Sequence, residues 1–118
     1  MDVTIFHNPA CSTSRKVLDR LRSFGVEPTV IDYVKAGWTR PQLQGLLKDM
    51  GLRPRDILRA KGELAASLGL ADPAAADAQI LDAMVAHPVL VERPIVAGPG
   101  GTAVCRPVET VDELLVSP

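Results

Sequence analysis

The chain has 118 residues, of which 47% are hydrophobic but only 3% aromatic. A single domain of that length buries its own core without staples, and here the core must rest on Leu, Val, Ile and Ala. The formal net charge of -1 gives no global attraction to nucleic acid or to an acidic membrane surface. No stretch approaches the ~20 apolar residues that a membrane span requires. The start, with Asp2 and an apolar run that stops by His7, lacks the basic and long apolar regions of a secretory leader. Two cysteines without such a leader fit a reducing compartment, so the cytoplasm is the expected location.

Asp2 to Phe6 reads as a buried strand. Val17, Leu18, Leu21 and Phe24 then fall at helical spacing, and Gly25 is a natural C-terminal stop. Thr29 to Tyr33, rich in β-branched residues, is a second strand. Strand, helix and strand at this length make a βαβ unit with parallel strands and a right-handed crossover. The next helix has a written start, because Thr39 and Gln42 form a capping box with Pro41 in the first turn. Leu43, Leu46, Leu47 and Met50 draw its apolar stripe, and Gly51 closes it. A short helix over about Pro54 to Arg59, a loose Ala-rich stretch and a firmer helix from about Asp77 to Ala86 follow, ended by Pro88. Ile95 to Ala97 and Ala103 to Arg106 are short strands joined by Gly98-Pro99-Gly100-Gly101, a hairpin turn. A final short helix spans about Val108 to Leu115.

This order predicts an α/β, thioredoxin-like domain over residues 1–118. Its sheet is four-stranded and mixed, with helices on both faces and a helical insertion at about 39–87, between the second and third strands. In that architecture the reactive thiol follows the first strand, where Cys11 stands. A thiol at a strand-to-helix junction meets the positive end of the helix dipole and a fan of unpaired N–H groups. That environment favours the thiolate, which is the nucleophile, and the same N–H groups can cradle an oxyanion. Asn8, Ser12, Thr13 and Ser14 are poor company for a core thiol, which argues for a reactive Cys11 over a buried one.

Cys11-Ser12-Thr13-Ser14 is a C-x-x-S variant of the redox C-x-x-C. Without a second local thiol, Cys11 needs an outside or distant thiol to resolve a mixed disulfide. His7 stands four residues earlier, either as an imidazolium that lowers the thiol pKa or as a satisfied structural histidine. Cys105 is read as a buried core thiol, with a resolving partner for Cys11 as the alternative. Two cysteines and two histidines lack the close paired spacings of a zinc site, so no metal is expected, and nothing points to a bound cofactor. Arg93-Pro94 and Arg106-Pro107 flank the hairpin, and Arg59 closes the short helix. Guanidinium forks suit tetrahedral oxyanions. Pro94 is where a thioredoxin-like sheet presents a cis-proline beside its thiol.

The stretch His7-Asn8-Pro9-Ala10-Cys11-Ser12-Thr13-Ser14-Arg15 resembles the active-site loop of the glutaredoxin-linked arsenate reductases. Ile57-Leu58-Arg59, His87-Pro88-Val89-Leu90-Val91-Glu92-Arg93-Pro94-Ile95-Val96 and Cys105-Arg106-Pro107 resemble that family's other signatures, in order along nearly the whole chain. The resemblance implies that Cys11 attacks arsenate to form a covalent thiol–arsenate adduct, with His7 and Ser14 favouring its thiolate. It implies that Arg59, Arg93 and Arg106, with Ser12 and Thr13, hold the oxyanion. Glutathione is then the co-substrate and glutaredoxin the partner that removes it before arsenite leaves. Ser12 departs from the glycine of some members; its Cβ crowds the anion loop while its hydroxyl adds a donor. The alternatives are a general glutathione-dependent thiol–disulfide oxidoreductase, and a non-catalytic thiol-responsive regulator that binds a protein such as RNA polymerase.

Overall fold

A computed structural model of the chain describes residues 1–116. Two compact units divide it: Met1–Ala36 together with the chain from Arg93 onward, and Gly37–Glu92. The segment read as a helical insertion lies inside the second unit.

In the first unit, β1 (Thr4–His7) is followed by α1 (Ser12–Ser23), β2 (Thr29–Asp32) and α2 (Tyr33–Ala36). After the second unit come β3 (Ile95–Gly98), β4 (Gly101–Val104) and α6 (Thr110–Glu113). The sheet order is β2-β1-β3-β4. β1 runs parallel to β2, with Thr4 opposite Thr29 and His7 opposite Asp32. It runs antiparallel to β3, with Phe6 opposite Ile95, and β3 is antiparallel to β4. This is the mixed, thioredoxin-like sheet that the element order predicts.

The core of this unit follows from two periodicities meeting. Val3 and Ile5 alternate to one face of β1, and Val17, Leu18 and Leu21 share one face of α1. They pack with Val96, Cys105, Val111 and Leu114 in a single buried cluster. Fully burying each such aliphatic side chain contributes about 1.5–3 kcal/mol. Gly25 ends α1 at φ 77°, the left-handed region, with its N–H on Arg22 O at 3.0 Å and the Val26 N–H on Leu21 O at 3.1 Å. This pair of bonds satisfies carbonyls the helix would otherwise leave open. Val26 then packs on the same cluster.

Several boundaries differ from those the residues predict. β2 stops at Asp32 because the Asp32 carboxylate accepts from the N–H groups of Val34 and Lys35, at 3.1 and 3.2 Å. That arrangement turns the chain into α2 one residue early. The hairpin is tighter than a four-residue turn, since Gly98 pairs with Gly101 and only Pro99-Gly100 form the loop. The Gly100 N–H donates to Leu114 O at 2.8 Å. A Cβ on Gly98 would collide with the Leu114 carbonyl, and one on Gly100 with the carbonyls of Glu113 and Val116. Glycine is therefore what admits the last described residues against the hairpin. The final helix is one turn, Thr110–Glu113, flanked by turn bonds such as Thr110 N–H to Pro107 O at 3.1 Å.

The second unit is helical. It holds α3 (Arg40–Met50), α4 (Glu63–Ser67) and α5 (Asp77–Ala86), with a 3₁₀ turn at Pro54–Ile57 between α3 and α4 and another at Pro88–Leu90 after α5. The capping box on α3 is present, with Thr39 Oγ1 accepting from the Gln42 N–H and Gln42 Oε1 accepting from the Thr39 N–H. Trp38, Leu43, Leu46, Leu47, Ile57, Ile80, Leu81 and Met84 are buried. The Ala-rich stretch read as loose holds α4. Among the described residues no helix is long and apolar enough to cross a membrane.

Candidate active site

The loop between β1 and α1 is tied down by its own polar groups. Asn8 is buried, and its Oδ1 accepts the Ala10 N–H at 3.0 Å while its carbonyl accepts the Cys11 N–H at 3.0 Å. The Arg15 guanidinium folds back to Pro9 O at 2.7 Å. These bonds make an Asx turn at Asn8–Ala10 inside a backbone turn over Asn8–Cys11 and deliver Cys11 to the N-cap of α1 in an extended conformation, φ -92° and ψ 122°.

The Cys11 sulfur thus sits where a capping oxygen would normally accept. It makes no cap bond of ordinary geometry, yet the helix end still acts on its charge. The first turn of α1 carries no acidic side chain, so no carboxylate of its own opposes the positive end of the helix dipole. Burial pushes the thiol pKa up. The Ser14 N–H, the Arg93 hydrogen bond and charge, and the Thr13 N–H together outweigh it and hold Cys11 below its ordinary value. Hydrogen bonding and a facing cation both favour the anion.

Ser14 is fully buried one turn into the helix. Its Oγ accepts the Asn8 N–H at 3.1 Å and lies 2.6 Å from His7 Nδ1. His7 is buried too. Burial lowers its pKa, Asp32 opposes that, and the charges of Arg22 and Arg15 add to the lowering. His7 Nδ1 makes its contact with the Ser14 hydroxyl, the kind of buried partner that a satisfied structural histidine has. Ser14 Oγ thus links the Asn8 N–H to the His7 ring. Ser12 is exposed and Thr13 half-buried at the first two positions of α1.

Arg93 and Arg106 are brought together across the hairpin. Arg106 Nη1 donates to the Arg93 carbonyl at 3.1 Å, and the Arg93–Pro94 and Arg106–Pro107 bonds are both cis. The Cys105 N–H donates to Pro94 O at 2.9 Å, closing the pair of strands at this end. Cys105 itself belongs to the core cluster, and burial pushes its thiol up to about 12. It is an inert core thiol.

Arg59 belongs to the second unit, where a miniature ladder fixes it. The Arg59 N–H donates to Leu90 O at 2.7 Å, the Glu92 N–H donates to Ile57 O at 2.8 Å, and Leu58 bridges Val91. Arg59 Nη1 lies 4.0 Å from Glu92 Oε2. Reading the sequence missed two roles. The Asn8 turn was visible as an Asn-Pro pair directly after a strand. The Glu92 partner of Arg59 had no local signal, because 33 positions separate the two residues.

The model of the ArsC family matches residues 6–114. The arsenate reductase ArsI2 of Synechocystis sp. is 52% identical over 113 residues, covering 96% of this chain and 81% of the relative. The arsenate reductase of Rhizobium meliloti is 48% identical over 115 residues, covering 98% and 82%. A solved arsenate reductase from Vibrio cholerae matches with a TM-score of 0.92 at 40% identity, over 98% of both chains. With the matched stretch running from the end of β1 through α6, the chain belongs to the ArsC family.

Proposed function

We propose that the chain reduces arsenate to arsenite through a covalent adduct on Cys11. The observation that carries this reading is Cys11 placed at the N-cap of α1, where helix N–H groups and the Arg93 guanidinium favour its thiolate, in a chain whose relatives are named arsenate reductases. The Cys11 thiolate attacks the arsenic of arsenate, an As–S bond forms, and an oxygen leaves as water after protonation. Arg93 and Arg106 balance the charge of the remaining oxygens, and the Ser12 and Thr13 hydroxyls donate to them. Arg59 is the third arginine of this reading, and its role rests on the sequence resemblance.

Reduction needs two electrons, and Cys11-Ser12-Thr13-Ser14 supplies no second thiol. Cys105, deep in the core, is a poor substitute. An external thiol is therefore proposed. Glutathione condenses at the arsenic with loss of a second water. A glutaredoxin thiolate then attacks the glutathione sulfur, forming their mixed disulfide and leaving the electron pair on arsenic. Water releases arsenite and restores the Cys11 thiol. Two thiols become one disulfide while As(V) becomes As(III), so the electrons balance. No resident cofactor enters this cycle. Dependence on glutathione places it in a reducing compartment such as the cytoplasm.

The test is arsenite production from arsenate with glutathione and glutaredoxin supplied, comparing the native protein with Cys11→Ser. Turnover lost in Cys11→Ser supports the proposal, and arsenite formed at native rates without the thiol ends it. A native protein that exchanges a small mixed disulfide but releases no arsenite is instead a general oxidoreductase. One that does neither, yet holds a protein partner stoichiometrically, is a regulator.

A further inference from the structure

Arg59, a proposed oxyanion ligand, has a carboxylate of its own fold set against it. Glu92 Oε2 is 4.0 Å from Arg59 Nη1, and the two side chains are only 26% and 29% exposed. The distance exceeds that of a hydrogen-bonded ion pair, ~2.7–2.9 Å, so Glu92 does not clamp the guanidinium in a bidentate grip. Nor is a clamp needed, because the backbone bonds to Leu90 and Ile57 already hold residues 59 and 92 in register. What the carboxylate adds is a fixed negative charge, half-shielded from water, next to a cation meant for an anion. At such short range and partial burial, screening by solvent is weak.

From this arrangement we infer that Glu92 is a resident competitor for Arg59: it weakens oxyanion binding and eases release, and so sets the working affinity of the site. The inference rests on the reading of Arg59 as an oxyanion ligand. Glu92 does not touch the reacting atoms in this scheme; it acts through Arg59. Removing its charge while keeping its shape must strengthen anion binding, and keeping the charge on a shorter stem must not.

Inorganic phosphate, a tetrahedral anion with no redox chemistry on the thiol, is the probe. Its affinity is measured by calorimetry at low salt on the full chain. Glu92→Gln is expected to bind phosphate about three- to tenfold tighter than native, as loss of one nearby like charge implies. Glu92→Asp is expected to stay within about twofold of native. Asp49→Asn, which removes an exposed carboxylate of α3, is expected to leave the affinity unchanged. In turnover, Glu92→Gln lowers the KM for arsenate more than it changes kcat. Unchanged or weaker phosphate binding in Glu92→Gln overturns the inference, as does an equal change in Glu92→Asp or Asp49→Asn. Arg59→Ala separates the two levels. If it leaves phosphate affinity at the native value, the reading of Arg59 has failed. If it weakens binding while Glu92→Gln does not tighten it, only the role of Glu92 has failed.

Discussion

Replacing Ser14 by Ala removes one buried hydroxyl, and the structure sets what that costs. Ser14 Oγ is the partner of the Asn8 N–H at 3.1 Å and of His7 Nδ1 at 2.6 Å, all in buried positions. Alanine can replace neither bond, and the space vacated by one hydroxyl is too small to admit a water in its place. Leaving a buried donor or acceptor unpaired costs about 1–3 kcal/mol each, and the two share one loop, so about 2–4 kcal/mol in total is expected. For a chain of this length, 1 kcal/mol shifts Tm by about 4 °C, so Tm should fall by about 8–16 °C. The assay is reversible thermal or urea unfolding followed by circular dichroism, with the m-value checked to be unchanged. The Ser14 N–H survives the substitution, so Cys11 should keep part of its reactivity. A loss under about 0.5 kcal/mol would show that the Asn8–Ser14–His7 knot does not hold the loop, and the positioning of Cys11 would need another explanation.

Because His7 is buried with a pKa lowered from 6.5, the unfolded chain binds its proton first as pH falls. Stability from this residue is therefore complete above about pH 6.5 and declines below it. The pH slope of unfolding below 6.5 should be shallower in His7→Gln than in native protein, and identical slopes would refute the burial argument. The two cysteines should differ sharply in reactivity, since Cys11 is depressed while Cys105 is pushed up to about 12. Mass spectrometry after iodoacetamide at pH 7 should find Cys11 alkylated and Cys105 intact until the chain is unfolded; modification of Cys105 in the native state would contradict its core placement. Gly100→Ala would drive a Cβ into the Glu113 and Val116 carbonyls and should cost about 1–3 kcal/mol, read as a lowered urea midpoint. A neutral effect would mean that the hairpin does not pack there as described.

The features legible in the sequence were those that local chemistry decides. The Thr39–Gln42 box, the Gly25 and Gly51 stops and the α1 stripe of Val17, Leu18 and Leu21 each depend on residues within one or two turns. Cys11 was legible for the same reason: a thiol between an apolar strand and a helix start reads from its neighbours alone. What stayed hidden depended on tertiary pairing. The strand ends at Gly98 and Gly101 are set by the ladder between β3 and β4. The bond from Arg106 to the Arg93 carbonyl spans 13 positions, and the facing of Arg59 and Glu92 needs the Leu58–Val91 bridge. His7 shows the limit most clearly. Its position in the chain allowed both a charged and a neutral role, and its contact with the buried Ser14 hydroxyl at 2.6 Å comes from helix α1 packing on β1, which no local pattern announces.

The Cys11 sulfur ionises early because helix N–H groups and one guanidinium outweigh its burial. The rate of Cys11 alkylation as a function of pH measures this directly, with Cys105 silent in the native state. The expected midpoint lies below the ordinary thiol value of 9.0 and moves upward in Arg93→Ala. A midpoint at or above 9.0, or one that Arg93→Ala leaves in place, would contradict it.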